Sequence, residues 1–176
     1  MTDSSFYRLL KAREEGIPFY RGEILSEQTE YRLDMTPYKY TLGATQTDSY
    51  NALVCTTFIH EFGRNNLFQL SLHHTEWDDV ENLGPTIGGR ILFDEDASWE
   101  ELNAKVESGY VFQTTKLTEQ YDYKEFVGEL DKGALLLFLL KPSGEIEFFT
   151  NEGELEGEPG DTVVSLNRPR QGIDSG

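Results

Sequence analysis

The chain has 176 residues, a length that suits one domain or two small ones with a buried core. Its hydrophobic content of 38% and aromatic content of 12% argue against global disorder. The formal net charge of −17 disfavours nucleic acid and anionic lipid as partners, because both would be repelled. The longest apolar run, residues 134–140, falls short of the roughly 18–20 residues that span a bilayer, so we expect a chain that is soluble by itself.

The N-terminal third of the chain predicts three short elements. Residues 6–15 have the spacing of a helix, with Phe6 on its apolar stripe. An extended run at 17–20 follows it. Residues 26–33 predict one or two helical turns that pack Tyr31 inward.

Residues 40–72 predict a strand, a helix and a second strand, which is the arrangement of a parallel-sheet unit. Thr47 and Asp48 are suited to cap the helix, because short side-chain oxygens satisfy its first N–H groups. Gly63 is placed to end it in a left-handed conformation. The apolar stripe of this helix is formed by residues at helical spacing: Ala52, Cys55, Ile59 and Phe62, widened by Leu53 and Phe58.

The second half of the chain predicts helices and strands in mixed order. Ser98 and Glu101 form a capping box at the start of a helix. The turn at 142–144 joins two β-rich runs into a hairpin. The other elements follow in chain order: strand 90–93, strand 110–118, a helical turn at 120–127 and, after a turn at 159–161, strand 162–166.

The sequence proposes no catalytic centre. The three histidines, His60, His73 and His74, have no nucleophile placed beside them. His73 and His74 precede several carboxylates, but adjacent histidines lack the i, i+4 placement of a zinc helix, which favours a solvated loop over a metal site. Cys55 is the only cysteine, which excludes a disulfide framework and suits a reducing cytosol. We therefore predict a protein that is not an enzyme and binds no metal.

Several short segments, taken in order, carry a family resemblance. They are Ala12-Arg13 with Gly16-Ile17, Gly22 to Glu27, Thr47-Asp48, Asn51-Ala52-Leu53, Phe62-Gly63-Arg64, Phe68-Gln69-Leu70 and Gly89 to Phe93. Together they resemble the cytoplasmic C-terminal region of bacterial NhaP-type sodium/proton antiporters, which is similar to the RCK (TrkA-N) Rossmann domains. The resemblance covers roughly residues 3–166. The closing segment, a strand pair followed by Pro159-Gly160-Asp161 and a last strand, resembles the end of a TrkA-C regulatory module.

The resemblance implies an α/β fold. A partial Rossmann-like parallel sheet at 1–72, missing its first strand and glycine-rich turn, precedes a linker at 73–89. A small α+β TrkA-C-like module at 90–167 and a disordered tail at 168–176 follow. In the strand order 3-2-1-4-5 the absent first strand would lie at the centre, leaving the third and fourth strands without a neighbour between them. Either those strands pair directly, or a partner chain fills the gap.

The resemblance also implies a function. The chain would be the soluble cytoplasmic regulatory domain of a monovalent cation/proton antiporter, at the cytoplasmic face of the bacterial inner membrane. Its partners would be the transmembrane exchanger domain of the same polypeptide and a second copy in a homodimer. The alternative is a free-standing protein that binds a nucleotide or another small molecule. A metal-dependent hydrolase built on His73 is the weakest reading.

Ligands of such folds sit outside the C-terminal ends of the strands. In this sequence those ends carry Asp3, Gly22, Glu23, Thr45, Thr47 and Asp48. For Thr47 and Asp48, ordinary helix capping is favoured over ligand binding. The chain contains no G-x-G-x-x-G motif, so pyrophosphate would lack its backbone cradle. We therefore predict weak or absent NAD binding by these residues alone, whereas the intact protein would be able to bind NAD(H) or another adenine nucleotide.

Overall fold

A computed structural model describes residues 1–71 and 88–169 of the protein. Those residues form a two-stranded and a three-stranded parallel sheet, a four-stranded antiparallel sheet, and helices that cover them. The predicted mixed α/β class is therefore confirmed. The predicted histidine loop and the last residues of the chain lie outside the described part. Within that part, no helix is long and apolar enough to cross a membrane.

The first sheet pairs β1 (Thr2–Asp3) with β2 (Tyr20–Arg21) in parallel, through helix α1 (Phe6–Glu14). The prediction that Phe6 lies on the apolar stripe of α1 is wrong. Leu9 and Ala12 are buried, whereas Phe6 lies on the exposed side. Two-residue strands offer a narrow surface, so the helix buries only one pair of residues at i, i+3 spacing against them.

Helix α2 (Glu27–Arg32) begins at Ser26, whose side chain accepts a hydrogen bond from Thr29 N at 3.3 Å. The buried Thr29 hydroxyl donates to Glu23 O at 2.7 Å and fixes this side of the helix inward. The prediction that Tyr31 packs inward is wrong, because this side chain is 89% exposed. Residues two positions apart in a helix project about 200° from each other around the helix axis, so an inward Thr29 directs Tyr31 outward.

The second sheet has the order β3 (Thr41–Gly43), β4 (Leu67–Gln69), β5 (Arg90–Ile91), with all strands parallel. The predicted strand–helix–strand unit at 40–72 is therefore present. Its helix is divided into α3 (Asp48–Thr57) and α4 (Ile59–Phe62), followed by a 3-10 turn at Arg64–Asn66. Gly63 ends α4 with a φ of 73°.

The predicted apolar stripe of this helix is wrong at Leu53. Leu53 is 54% exposed, while Asn51, Val54 and Cys55 are buried. Leu53 is two positions from both Asn51 and Cys55, which places it about 200° around the helix from each, so their burial directs Leu53 outward. The helix itself ends at Phe58, where the backbone leaves helical geometry with ψ of 12°.

The antiparallel sheet has the order β6 (Val111–Lys116), β9 (Thr162–Asn167), β7 (Leu135–Leu140), β8 (Ile146–Phe148). The predicted hairpin is β7 with β8, and its turn contains Gly144 at a φ of 85°. Both faces of the sheet are covered. Leu135, Leu137, Val164 and Leu166 pack on one face with Ala97 and Leu102, and Leu117, Leu139 and Val163 pack on the other with Phe126 and Phe149.

Two helices cover these faces, α5 (Trp99–Glu107) and α6 (Tyr123–Gly128). Ser98 caps α5 by accepting from Glu101 N at 3.2 Å, while the Glu101 carboxylate pairs with Lys105 at 3.0 Å. The complete capping box is found at α6, between Asp122 and Glu125. The reciprocal box predicted at α5 is therefore only half formed, because Ser98 N donates to Asp96 O at 2.8 Å, and the complete box at α6 was not predicted from the sequence.

The segment that follows β5 joins the parallel and antiparallel sheets. Leu92 forms an antiparallel bridge with Thr150, and Phe93 N donates to Phe149 O at 2.7 Å. Phe68 and Leu92 form a shared core with Phe148. The strand predicted to open the second module is therefore hydrogen-bonded into the parallel sheet as well.

Candidate functional site: a groove between the two parallel sheets

The two parallel sheets are separate in the described part of the chain, and residues of both line one groove of about 680 Å³. One wall comes from β1, β2 and the residues after them, and the other comes from β3 and the residues after it. Val54, Phe58 and Phe62 contribute apolar surface. The volume lies in the range of ligand-binding clefts.

The structure brings five of the six predicted ligand residues to this groove: Asp3, Gly22, Glu23, Thr45 and Thr47. Within each of the two sheets they lie at or just after the end of a strand, because parallel strands end at the same edge of a sheet. Asp48 is not among the residues that line the groove. It lies in the first turn of α3, where a carboxylate favours the positive end of the helix.

The Asp3 carboxylate already has two partners inside the chain. One oxygen accepts a hydrogen bond from Ser5 N at 2.7 Å, at the start of α1. The other lies 3.1 Å from Arg8 Nε. A ligand hydroxyl would therefore have to share or replace these contacts to bind Asp3.

Glu23 links the first sheet to α3. Its carboxylate accepts a hydrogen bond from the Tyr50 hydroxyl at 2.9 Å. Burial, reinforced by this hydrogen bond, raises the pKa of Tyr50 to about 12. The contact spans the groove, because Glu23 and Tyr50 both line it and belong to opposite walls.

Asn51 holds the loop that follows β3, a role that was not predicted from the sequence. Its side chain is fully buried, although it is an amide on a helix face. Its Oδ1 accepts from Thr45 N at 2.9 Å and from the Thr45 hydroxyl at 2.8 Å, and its Nδ2 donates to Thr45 O at 3.0 Å. An Asn one turn after a cap position, in phase with Val54 and Cys55, is the sequence signal that points to this role.

The backbone N–H groups of Thr45 and Thr47, in the loop between β3 and α3, donate hydrogen bonds to acceptors within the chain. Thr47 occupies the N-cap position of α3, but its side chain accepts no cap hydrogen bond. Thr47 N donates instead to the Thr45 hydroxyl at 3.2 Å. With Thr45 N engaged by Asn51, two backbone N–H groups that a phosphate would need are already occupied. The residues of this loop therefore do not fit a pyrophosphate cradle.

Replacing Tyr50 with phenylalanine should lower the free energy of unfolding by about 0.5–1 kcal/mol at neutral pH, because one partly exposed hydrogen bond to a carboxylate is lost. A raised tyrosine pKa stabilises the fold below the unfolded pKa of about 10. This contribution is lost as the pH rises towards the folded pKa of about 12. Urea unfolding of wild type and variant should therefore converge as the pH rises above about 10.

The control for this prediction is Tyr31→Phe, because the Tyr31 side chain is almost fully exposed. The free energy of unfolding of this variant should equal that of wild type both at neutral pH and above about pH 10. A difference between wild type and Tyr50→Phe that stays constant up to strongly alkaline pH would contradict the assigned pKa direction.

The other groups that could react or bind a ligand already have partners within the described part of the chain. Burial raises the pKa of Cys55 to about 11, and its thiol donates to Phe68 O at 3.3 Å, so it packs as a small apolar group. Among the residues that the structure describes, no three His, Cys, Asp or Glu side chains group as a metal site. A smaller cleft of about 330 Å³ lies between Tyr40, Phe68 and Phe148. Its cations already pair with acids, Lys39 with Glu145 and Arg90 with Glu152.

Comparison with known proteins adds no family assignment. No protein-family model matches the chain. No curated protein matches it at a significant level. The antiporter resemblance of the sequence therefore stays a prediction.

Proposed function

We propose that the chain is the cytoplasmic regulatory domain of a monovalent cation/proton antiporter and acts by binding and conformational change rather than by catalysis. The observation that supports this most is the groove. The resemblance predicts a Rossmann-like sheet without its central strand, and the protein has two parallel sheets that share a groove and are not hydrogen-bonded to each other in the described residues.

The strand order supports the proposal in detail. β1 and β2 would be the second and third strands of a Rossmann sheet, and β3, β4 and β5 would be the fourth to sixth. Within each group the strands are parallel neighbours in the required order. Direct pairing between the two groups, one of the two expectations from sequence, is not found among the described residues. A strand from polypeptide outside residues 1–176 would complete the sheet and satisfy its open edges.

The proposed mechanism uses the two walls of the groove. A ligand that contacts Glu23 on one wall and Thr45 or Thr47 on the other would favour one separation of the walls over others. That preference is a coupling free energy available to an attached exchanger. We propose an adenine nucleotide such as NAD(H) as the ligand of the completed domain, whose added strand and turn would supply the phosphate contacts. The antiparallel half would be a TrkA-C-like module, and the intact protein a homodimer at the cytoplasmic face of the bacterial inner membrane.

The natural reading frame around this sequence tests the proposal. We expect it to encode a membrane exchanger and a glycine-rich strand-turn in frame with residues 1–176. Sodium/proton exchange by the whole protein in membrane vesicles should then change when residues 1–176 are deleted. A reading frame without membrane-spanning segments would refute the proposal.

The second candidate is a free-standing protein that binds a nucleotide or another small molecule. The size of the groove favours it, as do the carboxylates and hydroxyls among the residues that line it. Calorimetric titration of the chain with ATP and NADH distinguishes the candidates. Tight binding by residues 1–176 alone would support the free-standing protein, because the proposed domain needs its added strand to bind phosphate.

A further inference from the structure

Strand β6 forms one open edge of the four-stranded sheet in the described part of the chain. Leu117, just after β6, directs both of its backbone groups toward the start of β9. Its N–H donates a hydrogen bond to Asp161 O at 2.8 Å, and its C=O accepts one from Gly160 N at 2.9 Å. Backbone groups alternate sides along a strand, so the odd residues of β6 face β9. The N–H and C=O groups of Phe112, Thr114 and Lys116 therefore point away from the sheet.

The edge carries one large exposed aromatic side chain. Phe112 is 68% exposed. It pairs in register with Leu166, which packs on the same face of the sheet as Leu102 of α5, so the Phe112 side chain lies on that face. β6 itself carries Lys116 and no carboxylate, in a chain with a net charge of −17.

We infer that this edge pairs with the same edge of a second copy of the chain, in antiparallel orientation about a two-fold axis at Thr114. This register sets Thr114 opposite the partner's Thr114 and Phe112 opposite the partner's Lys116. It engages all three outward-facing residues of each copy, each exchanging its N–H and C=O with the opposite residue. The two antiparallel sheets become one continuous sheet.

The occupant is a second copy because the edge is complementary to itself. An ammonium group opposite an aromatic ring is a favourable contact, and the two-fold axis makes it twice. Edge pairing brings together two strands that carry no carboxylate, in a chain whose net charge of −17 makes two copies repel each other overall. An exposed edge strand is a template for pairing, and its only charged side chain here lies at one end.

The net charge gives the association a specific salt dependence. Two copies with a charge of −17 repel each other at long range, and added salt screens this repulsion. The dimer should therefore strengthen as moderate salt is added, which is opposite to the behaviour of an interface made by ion pairs. This inference concerns the sheet edge alone and does not depend on the transporter proposal.

Sedimentation equilibrium of the chain at low and moderate salt tests the inference. We expect a monomer–dimer equilibrium. Thr114→Pro should weaken it by at least about tenfold, because proline removes the central outward N–H while leaving the bonds of β6 to β9 in place. Thr114→Ala is the matched control. It loses the same hydroxyl but keeps the N–H, so it should dimerise like wild type.

A second variant protects the test against misfolding. Phe112→Lys sets like charges against the partner's Lys116 without changing the backbone, and should weaken the dimer by a similar factor. Hydrogen exchange should show that the amides of Phe112, Thr114 and Lys116 become protected as protein concentration rises. A chain that stays monomeric under all conditions would overturn the inference. So would dimerisation that neither Phe112→Lys nor a folded Thr114→Pro weakens.

Discussion

Replacing Asn51 with alanine should lower the free energy of unfolding by about 2–4 kcal/mol, and it should do so through one loop. The buried amide makes three hydrogen bonds to Thr45, two to its backbone and one to its hydroxyl. Alanine leaves Thr45 N and Thr45 O without these partners and removes a fully buried amide group. Denaturant unfolding followed by circular dichroism measures the loss.

The control for this variant is Asn65→Ala, an exposed asparagine in the turn that precedes β4. It should change the free energy of unfolding by no more than about 0.5 kcal/mol. If Asn51→Ala cost as little as the control, the amide would not hold the loop. In that case the position of Thr45 and Thr47 at the groove would need another explanation.

Replacing Leu139 with alanine should have the largest effect on stability, about 3–5 kcal/mol. Leu139 is fully buried on the central strand β7 and packs in a cluster with Leu117, Phe126, Phe149 and Val163. Strands on both sides of β7 hold the backbone in place, so the structure can collapse only partly into the space that the side chain leaves. Thermal or denaturant unfolding measures the change.

The next residue of the same strand supplies the control. Leu140 has the same side chain and the same strand neighbours but is 38% exposed. Leu140→Ala removes less buried surface and leaves no enclosed cavity, so it should cost roughly 1 kcal/mol or less. Equal losses at the two positions would show that burial at Leu139 does not determine the stability of this sheet.

Local sequence signals predicted much of the fold, because they act within a few residues. Gly63 and Gly144 have the positive φ values that their helix end and turn require. Ser98 caps the helix that it was predicted to cap. These elements need only a short side chain or a missing Cβ at a defined place, and so do not depend on the rest of the chain.

Predictions of which side chains are buried failed where the answer depends on distant surfaces. Tyr31 and Leu53 are exposed because each lies about 200° around its helix from side chains that tertiary contacts bury, Thr29 in one helix and Asn51 and Cys55 in the other. Asn51 is buried because the end of β3 needs partners that only its amide supplies. Five predicted site residues line the groove, because each lies at or just after the end of a parallel strand, but the contacts of Glu23 with Tyr50 and of Asp3 with Arg8 depend on tertiary packing.

The segment at residues 90–93 has a mechanical consequence. It pairs in parallel with β4 through Arg90 and Ile91, and then in antiparallel fashion with Thr150 through Leu92. One uninterrupted piece of backbone therefore bonds to β4 and, one residue later, to the residues that follow β8, so a bend at this point would break backbone hydrogen bonds on one side or the other. A movement of β3 and β4 at the groove would therefore displace the β7–β8 hairpin along with them. On heating, the parallel sheet β3–β5 and the antiparallel sheet should unfold in a single transition.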